Sequence, residues 1–260
     1  MQLSIIKIGG NIIDDEARLL AFLGSFTALP GKKILVHGGG KLVTRVAEGL
    51  GIRQNLVDGR RITDEETLRV VTMVYAGTIN KQIVARLQAL GCPAMGLTGA
   101  DGNAILSHKR VHPSIDYGFV GDVDAVNTSL LTSLLMLEKV LVIAPITHDG
   151  KGQLLNTNAD TIAQELARGL SAGFDVSLIY SFEKSGVLMD AEDDGSVIRR
   201  INAADYADLK ARQVIFAGMI PKLDNAFAAL RSGVKKVIIG RAEELQFLLT
   251  GESGTTIIHE

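Results

Sequence analysis

The chain has 260 residues, of which 47% are apolar, and its formal net charge is −2 at pH 7. This length allows one large α/β domain or two lobes that share a sheet, and the slightly negative charge argues against a nucleic-acid-binding surface. The single cysteine, Cys92, excludes an internal disulfide framework and fits a reducing compartment.

The sequence contains no segment that predicts export or membrane insertion. The N-terminus lacks a basic region followed by an uninterrupted apolar run. The longest apolar region, Leu130–Ile146, is interrupted by Glu138 and Lys139 and is too short to span a bilayer. We therefore expect a soluble cytoplasmic protein without a membrane partner.

The first element is the stretch Ser4–Asn11, with the sequence SIIKIGGN. Its isoleucines are typical of a strand that is buried on both faces, and Gly9 and Gly10 turn the backbone and expose N–H groups at the strand's end. Lys7 lies inside this apolar run, where an ammonium group is costly unless an anion meets it. The pattern favours a phosphate cradle; the alternative is a lysine whose side chain extends to water.

A second glycine-rich turn follows a helix predicted over Asp15–Leu29 and a strand over Lys33–Val36. The run His37-Gly38-Gly39-Gly40 then leads into a helix over Leu42–Leu50. A strand, a glycine run and a helix in this order direct free N–H groups and a helix dipole at an anion. The run matches neither the dinucleotide-binding nor the P-loop pattern, and a closely packed turn is the alternative.

Arg60 and Arg61 lie on a glycine-bearing loop before Thr63 or Asp64, which are candidate N-caps of a helix over Glu65–Tyr75. Paired guanidinium groups are able to bind a carboxylate bidentately. Surface arginine pairs are common, however, and from the residues alone we favour a solvated pair.

The middle of the chain continues to alternate between helices and strands. We interpret Asp116–Asn127 as a strand pair or a lid flap, and Ile146–Leu155 as a loop. The periodic segments between these regions are predicted as helices Asn80–Leu90 and Thr128–Leu137, and as strands Pro93–Leu97 and Val140–Ala144.

Two asparagines and an aspartate, Asn156, Asn158 and Asp160, directly precede a helix predicted over Thr161–Leu170. Such residues are equally typical of helix caps and of a polar site. Both interpretations stay open at this point.

The C-terminal part begins at Gly173, a candidate lobe boundary. Lys222 lies in the first turn of a helix that runs from Leu223 to Arg231, where a cation is unfavourable unless an anion is near. The remaining predicted elements are strands Val176–Ser181, Val237–Ile239 and Thr255–Ile258, and helix Ala242–Leu249. The repeated β-α-β units predict a mostly parallel sheet covered by helices on both faces, with ligands at the carboxyl ends of its strands.

Eight sequence motifs together resemble the amino-acid kinase superfamily and, within it, the acetylglutamate kinases of arginine biosynthesis. They occur in that family's order along most of the chain, and the C-terminal RAEELQFLLTGESGTTII is also similar to the family's ending. The motifs are IIKIGG (5–10), LVHGGGK (35–41), DGRRIT (58–63), INKQIV (79–84), GLTGADGN (96–103), YGFVGDVDAVN (117–127), GQLLNTNAD (152–160) and GMIPKL (218–223).

The resemblance implies an open αβα sandwich around a central mostly parallel sheet, with two lobes. Residues 1–172 would bind the acylated amino acid and form a homodimer, and residues 173–260 would bind ATP. The first strand begins by about Leu3, which leaves no room for the N-terminal helix of arginine-inhibited family members. We therefore expect a dimer that arginine does not inhibit.

The resemblance also implies a role for each residue of the site. Lys7 and Lys222 would contact the transferred phosphoryl group, with Asp160 orienting both lysines. The N–H groups of Gly10, Gly39 and Gly40 would hold phosphoryl oxygens, Arg61 the substrate's α-carboxylate, and Asn156 with Asn158 the acyl-amino group. The implied nucleotide-binding residues are Ser181, Glu183, Gly186, Gly218 and Met219. The stretch Ser181–Leu188 is one residue longer than the family's, and Glu183 is its nearest acid to the family's aspartate. Mg²⁺ would be held mainly by the ATP phosphates, without a metal site on the protein.

The implied reaction is ATP-dependent phosphorylation of the γ-carboxylate of an N-acyl-L-glutamate, most simply N-acetyl-L-glutamate. A carboxylate acceptor is ionised at neutral pH and needs no general base, which suits a chain whose five histidines form no catalytic constellation. We interpret His37 as a packed turn residue. The alternatives are another amino-acid kinase acting on carbamate, aspartate or a phosphate monoester, an N-succinylglutamate kinase, and a silent metabolite sensor, which would need neither Lys7 nor Lys222.

Overall fold

The computed structural model describes residues 1–57, 59–190, 192–215 and 219–259, with the backbone alone at residues 182 and 221. The strands in these ranges are β1 Gln2–Ile8, β2 Lys32–His37, β3 Leu56–Val57, β4 Arg60–Arg61, β5 Ala94–Leu97, β6 Ile105–Lys109, β7 Val120–Val126, β8 Val140–Ile143, β9 Ile146–His148, β10 Leu154–Thr157, β11 Asp175–Phe182, β12 Arg200–Ile201, β13 Lys236–Arg241 and β14 Thr255–Ile257. The α-helices are α1 Gly10–Ile13, α2 Glu16–Ala28, α3 Gly40–Gly49, α4 Glu65–Thr72, α5 Asn80–Ala89, α6 Thr128–Met136, α7 Ala159–Leu170, α8 Ala203–Ala211, α9 Ile220–Arg231 and α10 Leu245–Thr250.

The main sheet has eight strands in the order β12-β14-β13-β11-β1-β2-β8-β5. Its pairings are parallel except for that between β13 and β14. β1 lies inside the sheet and pairs with β11 on one side and β2 on the other. The predicted mostly parallel sheet is confirmed.

The sheet separates two hydrophobic cores because alternate residues of a strand face opposite sides. On β1, Leu3 and Ile5 pack into one core together with α7 and α9, and Ile6 and Ile8 pack into the other together with α2 and α3. Helices therefore cover both faces, which confirms the αβα sandwich.

A small second sheet lies beside the main one. Its strands differ from the prediction in two segments. The segment Ile146–Leu155, predicted as a loop, contributes β9 and the start of the antiparallel strand β10, joined by a turn. The segment Asp116–Asn127, predicted as a strand pair or flap, contains the single strand β7, which pairs with β6 and β10. The alternation of apolar and polar residues in these short strands is too brief to have separated them from loops.

The helical pattern also differs from the prediction in two places. The two helices predicted over Glu65–Tyr75 and Asn80–Leu90 are one continuous helical run, in which Met73–Ile79 has π-helical geometry. Gly77 alone did not end it, because one glycine costs a helix only about 1 kcal/mol. Helix α8 was not predicted at all, although Asn202 and Asp205 form a capping box at its start.

The candidate boundary at Gly173 lies between α7 and β11, and the sheet continues across it. β1 pairs with β11 along all seven of its residues. The division into lobes 1–172 and 173–260 stays a prediction.

Candidate active site

Two adjoining clefts open beside the carboxyl ends of β1 and β2. The inner cleft has a volume of about 230 Å³ and the outer cleft about 500 Å³. Both clefts are lined by Gly10, Gly40, Leu56 and Arg61. The inner cleft also includes Lys7, Gly39, Arg60, Asn156, Asn158 and Asp160, and the outer cleft includes Lys41, Thr44, Glu183 and Lys222.

Lys7 and Asp160 form an ion pair in the inner cleft, with 2.8 Å between Nζ and Oδ1. Lys7 is on the same face of β1 as Leu3 and Ile5, and α7, which carries Asp160 in its first turn, packs against that face. A carboxylate is favourable at a helix N-terminus. The ammonium group in an apolar strand is therefore compensated by a carboxylate within the cleft.

Lys222 belongs to the same charged group. It lies in the first turn of α9, as the sequence predicted, and it lines the outer cleft. Burial lowers the pKa of its ammonium group, Lys7 lowers it further, and Asp160 and Glu183 oppose this shift. Two lysines are thus held near one aspartate, at the junction of the two clefts.

The two glycine turns bring backbone close to the clefts. Gly39 has φ of 133°, and a Cβ at this position would lie 2.1 Å from Cδ1 of Ile79, so only glycine fits here. Helix α3 starts at Gly40 and α1 starts at Gly10, and both residues line the clefts. The first N–H groups of a helix have no partner within it and are available to an anion.

Arg61 is buried, with 7% of its surface exposed, so the interpretation of a solvated arginine pair is wrong for this residue. Its Nη2 donates to the Gly40 carbonyl at 2.9 Å and to Thr44 Oγ1 at 3.0 Å, and its Nη1 donates to Gln54 Oε1. These acceptors are neutral, and Arg61 forms no ion pair within the described ranges. Its guanidinium group is held in position while its charge stays uncompensated.

Asn156 and Asn158 differ in what they offer to a ligand. Asn156 is buried on β10 and its Nδ2 donates to Thr63 Oγ1 at 3.0 Å. Asn158 is the N-cap of α7, and its Oδ1 accepts from the backbone N–H groups of Asp160 and Thr161 at 2.8 and 3.1 Å. The cap interpretation is confirmed for Asn158, which also lines the inner cleft.

His37 is a packed structural residue. It is fully buried at the end of β2, where its Nε2 lies 3.2 Å from Asn80 Nδ2 and its Nδ1 lies 3.0 Å from the Gly38 carbonyl oxygen. Asn80 Nδ2 also donates to the Val142 carbonyl at 2.9 Å. Burial lowers the pKa of His37 to about 4, so the imidazole is neutral at pH 7 and ties β2 to α5 and β8.

The residues expected to bind the nucleotide are spread more widely. Glu183 lines the outer cleft with Lys222. Ser181 and Met219 are buried, and Gly186 packs against Thr255, since a Cβ there would lie 2.7 Å from Thr255 Oγ1. The structure does not bring these three residues to either cleft. Gly218 lies outside the described residues.

Sequence analysis assigned no role in the site to Tyr75 or Arg60, which both line the inner cleft. Tyr75 lies in the π-helical segment beside Arg61, and burial raises the pKa of its phenol while Arg61 opposes this. Arg60 was considered only as half of a solvated pair. A tyrosine inside a helical pattern and an arginine in a turn carry no sequence signal that separates them from surface residues.

Two kinds of feature are absent from the described residues. Across the described ranges, no group of three histidine, cysteine, aspartate or glutamate side chains is arranged to hold a metal ion. No helix in these ranges has the length and apolar character needed to cross a membrane.

Comparison with known proteins shows similarity over nearly the whole chain. The model of the family described as "Amino acid kinase family" matches residues 2–241. The chain is 56% identical over 245 residues to a protein named acetylglutamate kinase from Bacteroides thetaiotaomicron, covering 94% of this chain and 95% of the relative. It is 57% identical over 249 residues to a protein of the same name from Cytophaga hutchinsonii, covering 95% and 94%. Among solved structures, smu.665 from Streptococcus mutans superimposes with a TM-score of 0.79 at 25% identity, covering 99% of both chains.

Proposed function

We propose that this chain, which belongs to the amino acid kinase family, transfers the γ-phosphoryl group of ATP to the γ-carboxylate of an N-acyl-L-glutamate. The relatives carry the name acetylglutamate kinase, and this activity is a step of amino-acid biosynthesis. The observation that carries the proposal is the group formed by Lys7, Asp160 and Lys222 between two clefts. Such a group suits the transfer of a charged phosphoryl group between two ligands.

Phosphoryl transfer requires positioning of the reactants and stabilisation of the charge on the equatorial oxygens rather than covalent help from the protein. Lys7 and Lys222 supply positive charge to these oxygens, and Gly10, Gly39 and Gly40 supply backbone N–H groups. Asp160 holds Lys7 at 2.8 Å and so fixes its ammonium group. The carboxylate also opposes the lowering of the Lys222 pKa by burial and so favours its charged form.

The acceptor occupies the inner cleft in this proposal. Arg61 binds the α-carboxylate, since its guanidinium group is held by Gly40, Thr44 and Gln54 but has no carboxylate partner in the part of the chain that the structure describes. Asn156 and Asn158 bind the acyl-amino group through their amides. The acyl group has a chemical purpose, because a free amine would attack the new acyl phosphate and cyclise.

ATP occupies the outer cleft, with its phosphates towards Lys222 and the start of α3. Glu183 lines this cleft and is the residue proposed to contact the nucleotide there. Ser181, Gly186 and Met219 lie away from both clefts, and the role of Gly218 follows the family resemblance alone. Mg²⁺ accompanies the nucleotide and is held mainly by its phosphates. A divalent cation supplies charge neutralisation to the phosphates when it is bound.

We further propose that the protein is a homodimer in the cytoplasm, with residues 1–172 as the acyl-amino-acid-binding and dimerisation lobe and residues 173–260 as the ATP-binding lobe. This assignment follows the family resemblance. Light scattering measures the mass in solution, and a monomer would contradict the dimer.

A coupled ADP-release assay tests the function. We expect ADP to form from ATP with N-acetyl-L-glutamate but not with free glutamate, and the product to give a hydroxamate when hydroxylamine is added, because acyl phosphates acylate hydroxylamine. ADP release that does not depend on the acylated amino acid, or a product inert to hydroxylamine, would contradict the proposal.

A further inference from the structure

Arg60 is a second uncompensated cation in the inner cleft. It lies on β4 next to Arg61 and is partly buried. Its guanidinium group forms no hydrogen bond or ion pair with the residues that the structure describes. Burial lowers its pKa, and the nearby Arg110 lowers it further. A partly buried cation next to another cation is costly unless an anion joins it.

The anions near Arg60 are already engaged with other cations. Asp122 pairs with Arg110, with 2.7 Å between Oδ1 and Nη1. Asp160 pairs with Lys7 at 2.8 Å. Both carboxylates act on the pKa of Arg60, together with Tyr117, but neither forms an ion pair with it. The wall of the cleft around Arg60 therefore has one positive charge in excess.

Arg60 lies near the part of the cleft that would bind the acyl-amino end of the ligand. Arg60 is electrostatically coupled to Asp122, which lies on β7. On the same strand, Val120 lines the inner cleft and is the register partner of Asn156, the proposed ligand of the acyl-amino group. The coupling to Asp122 puts Arg60 on the β7 side of the cleft, next to the strand that carries Asn156. Arg61 instead donates to Gly40 and Thr44.

We propose that the acyl group of the substrate carries its own carboxylate, which Arg60 binds, so that the preferred acceptor is an N-dicarboxylyl-glutamate such as N-succinyl-L-glutamate rather than N-acetyl-L-glutamate. This inference rests on the proposed function and narrows its substrate. An acetyl group ends in a methyl and leaves the Arg60 guanidinium group without an anion. A succinyl group ends in a carboxylate that accepts a charge-assisted, bidentate hydrogen bond from it.

The test compares three ligands that differ only in the acyl group: N-succinyl-L-glutamate, its neutral analogue N-succinamoyl-L-glutamate, and N-acetyl-L-glutamate. Dissociation constants from calorimetry and kcat/KM from ADP release are measured for each. We expect the succinyl ligand to be preferred over both others by about tenfold or more, the effect of one charge-assisted hydrogen bond. Arg60→Met lowers the succinyl-to-acetyl ratio by a similar factor, and Arg60→Lys recovers part of it.

The control is Arg69→Met, which removes an exposed arginine of α4 that pairs with Glu65 and leaves the ratio unchanged. The inference is overturned if the native protein uses the acetyl ligand equally well or better. It is also overturned if Arg60→Met weakens the binding of all three ligands equally, because the arginine then binds a group that they share. In both cases turnover continues and the proposed function stands. If the ligands bind with the expected preference but none supports ADP release, the proposed function fails and the binding preference stands.

Discussion

Lys7 and Lys222 each occupy a position that is locally unfavourable for a cation, one inside an apolar strand and the other in the first turn of a helix. Both are coupled to Asp160. A purely structural lysine would extend to water at lower cost. Asp160 compensates Lys7, and the placement of a second lysine beside this pair is best explained by an anion that arrives with the ligands.

We expect Lys7→Ala and Lys222→Ala each to lower kcat by roughly two to three orders of magnitude, in analogy with the loss of one oxyanion donor. Far-UV circular dichroism checks that the fold is retained, and Lys151→Ala, at an exposed turn, serves as the control. Turnover close to that of the native protein in either lysine variant would contradict the two-lysine mechanism.

Arg61→Lys tests the assignment of the α-carboxylate. A planar guanidinium group that is fixed by Gly40, Thr44 and Gln54 is not replaced by an ammonium group. We expect the KM for the N-acyl-glutamate to rise at least tenfold, with a smaller change in the KM for ATP, while Arg69→Lys changes neither. A larger rise in the KM for ATP would show that Arg61 binds the nucleotide instead.

At the scale of elements, the start of α3 depends on a backbone conformation that side chains rarely adopt. Gly39 has φ of 133°, and a Cβ added there would overlap the Ile79 side chain on the helical run that includes Tyr75. The position of α3 and the packing of that run are therefore set by one glycine.

Gly39→Ala is expected to destabilise the protein by about 2–3 kcal/mol, since both a strained φ and a steric overlap must be relieved. It should also lower activity, because Gly40 and the start of α3 would shift. Denaturant unfolding measures the first effect and ADP release the second. Gly49→Ala, at the other end of the same helix with no atom within 4 Å of the added Cβ, should leave stability within about 1 kcal/mol. Equal losses of stability in Gly39→Ala and Gly49→Ala would contradict the requirement for glycine at position 39.

His37 connects β2, α5 and β8 through Asn80, and it does so as a neutral imidazole. Its pKa is about 4 in the folded protein and about 6.5 in the unfolded chain. Below pH 6.5 the imidazole is therefore protonated in the unfolded chain but still neutral in the folded protein. As a result, the free energy of unfolding falls as the pH drops from about 6.5 to about 4. Above pH 7.5 this group does not affect the free energy of unfolding. This difference in pKa corresponds to a loss of about 3 kcal/mol in the free energy of unfolding.

The pH dependence of urea unfolding checks this effect. His37→Gln should remove that part of the dependence between pH 6.5 and 4, whatever its effect on stability at pH 7. His259→Gln, at an exposed position, should keep the native dependence. The same slope in all three proteins would mean that His37 is not the group that responds.

Across the whole molecule, the sequence predicted the elements with strong local signals. The apolar strand β1, the helix after the asparagine pair and the position of Lys222 agree with the structure, because buried parallel strands and amphipathic helices have distinct periodicities. The hairpin of β9 and β10 was missed because its strands have three and four residues. The burial of Arg61 could not be predicted, since it depends on Gln54 and Thr44, which the fold brings to it from elsewhere in the chain.

Both cores combine residues from the two sides of Gly173. Ile5 packs in one core with Leu178, and Ile6 packs in the other with Ile179. The two sides also share the sheet, because β1 pairs with β11 along its full length. A fragment of residues 1–172 would expose one edge of β1 and parts of both cores to water.

We therefore expect the separate fragment 1–172 to be unfolded or aggregated, although the family resemblance assigns it a lobe of its own. Circular dichroism and amide proton dispersion in NMR spectra of the purified fragment measure this directly. Co-expression with residues 173–260 should restore a soluble complex with ADP-release activity, because the pairing of β1 with β11 then re-forms between the two pieces. A fragment 1–172 that unfolds cooperatively on its own would show that the lobe is autonomous and that the shared sheet contributes little to its stability.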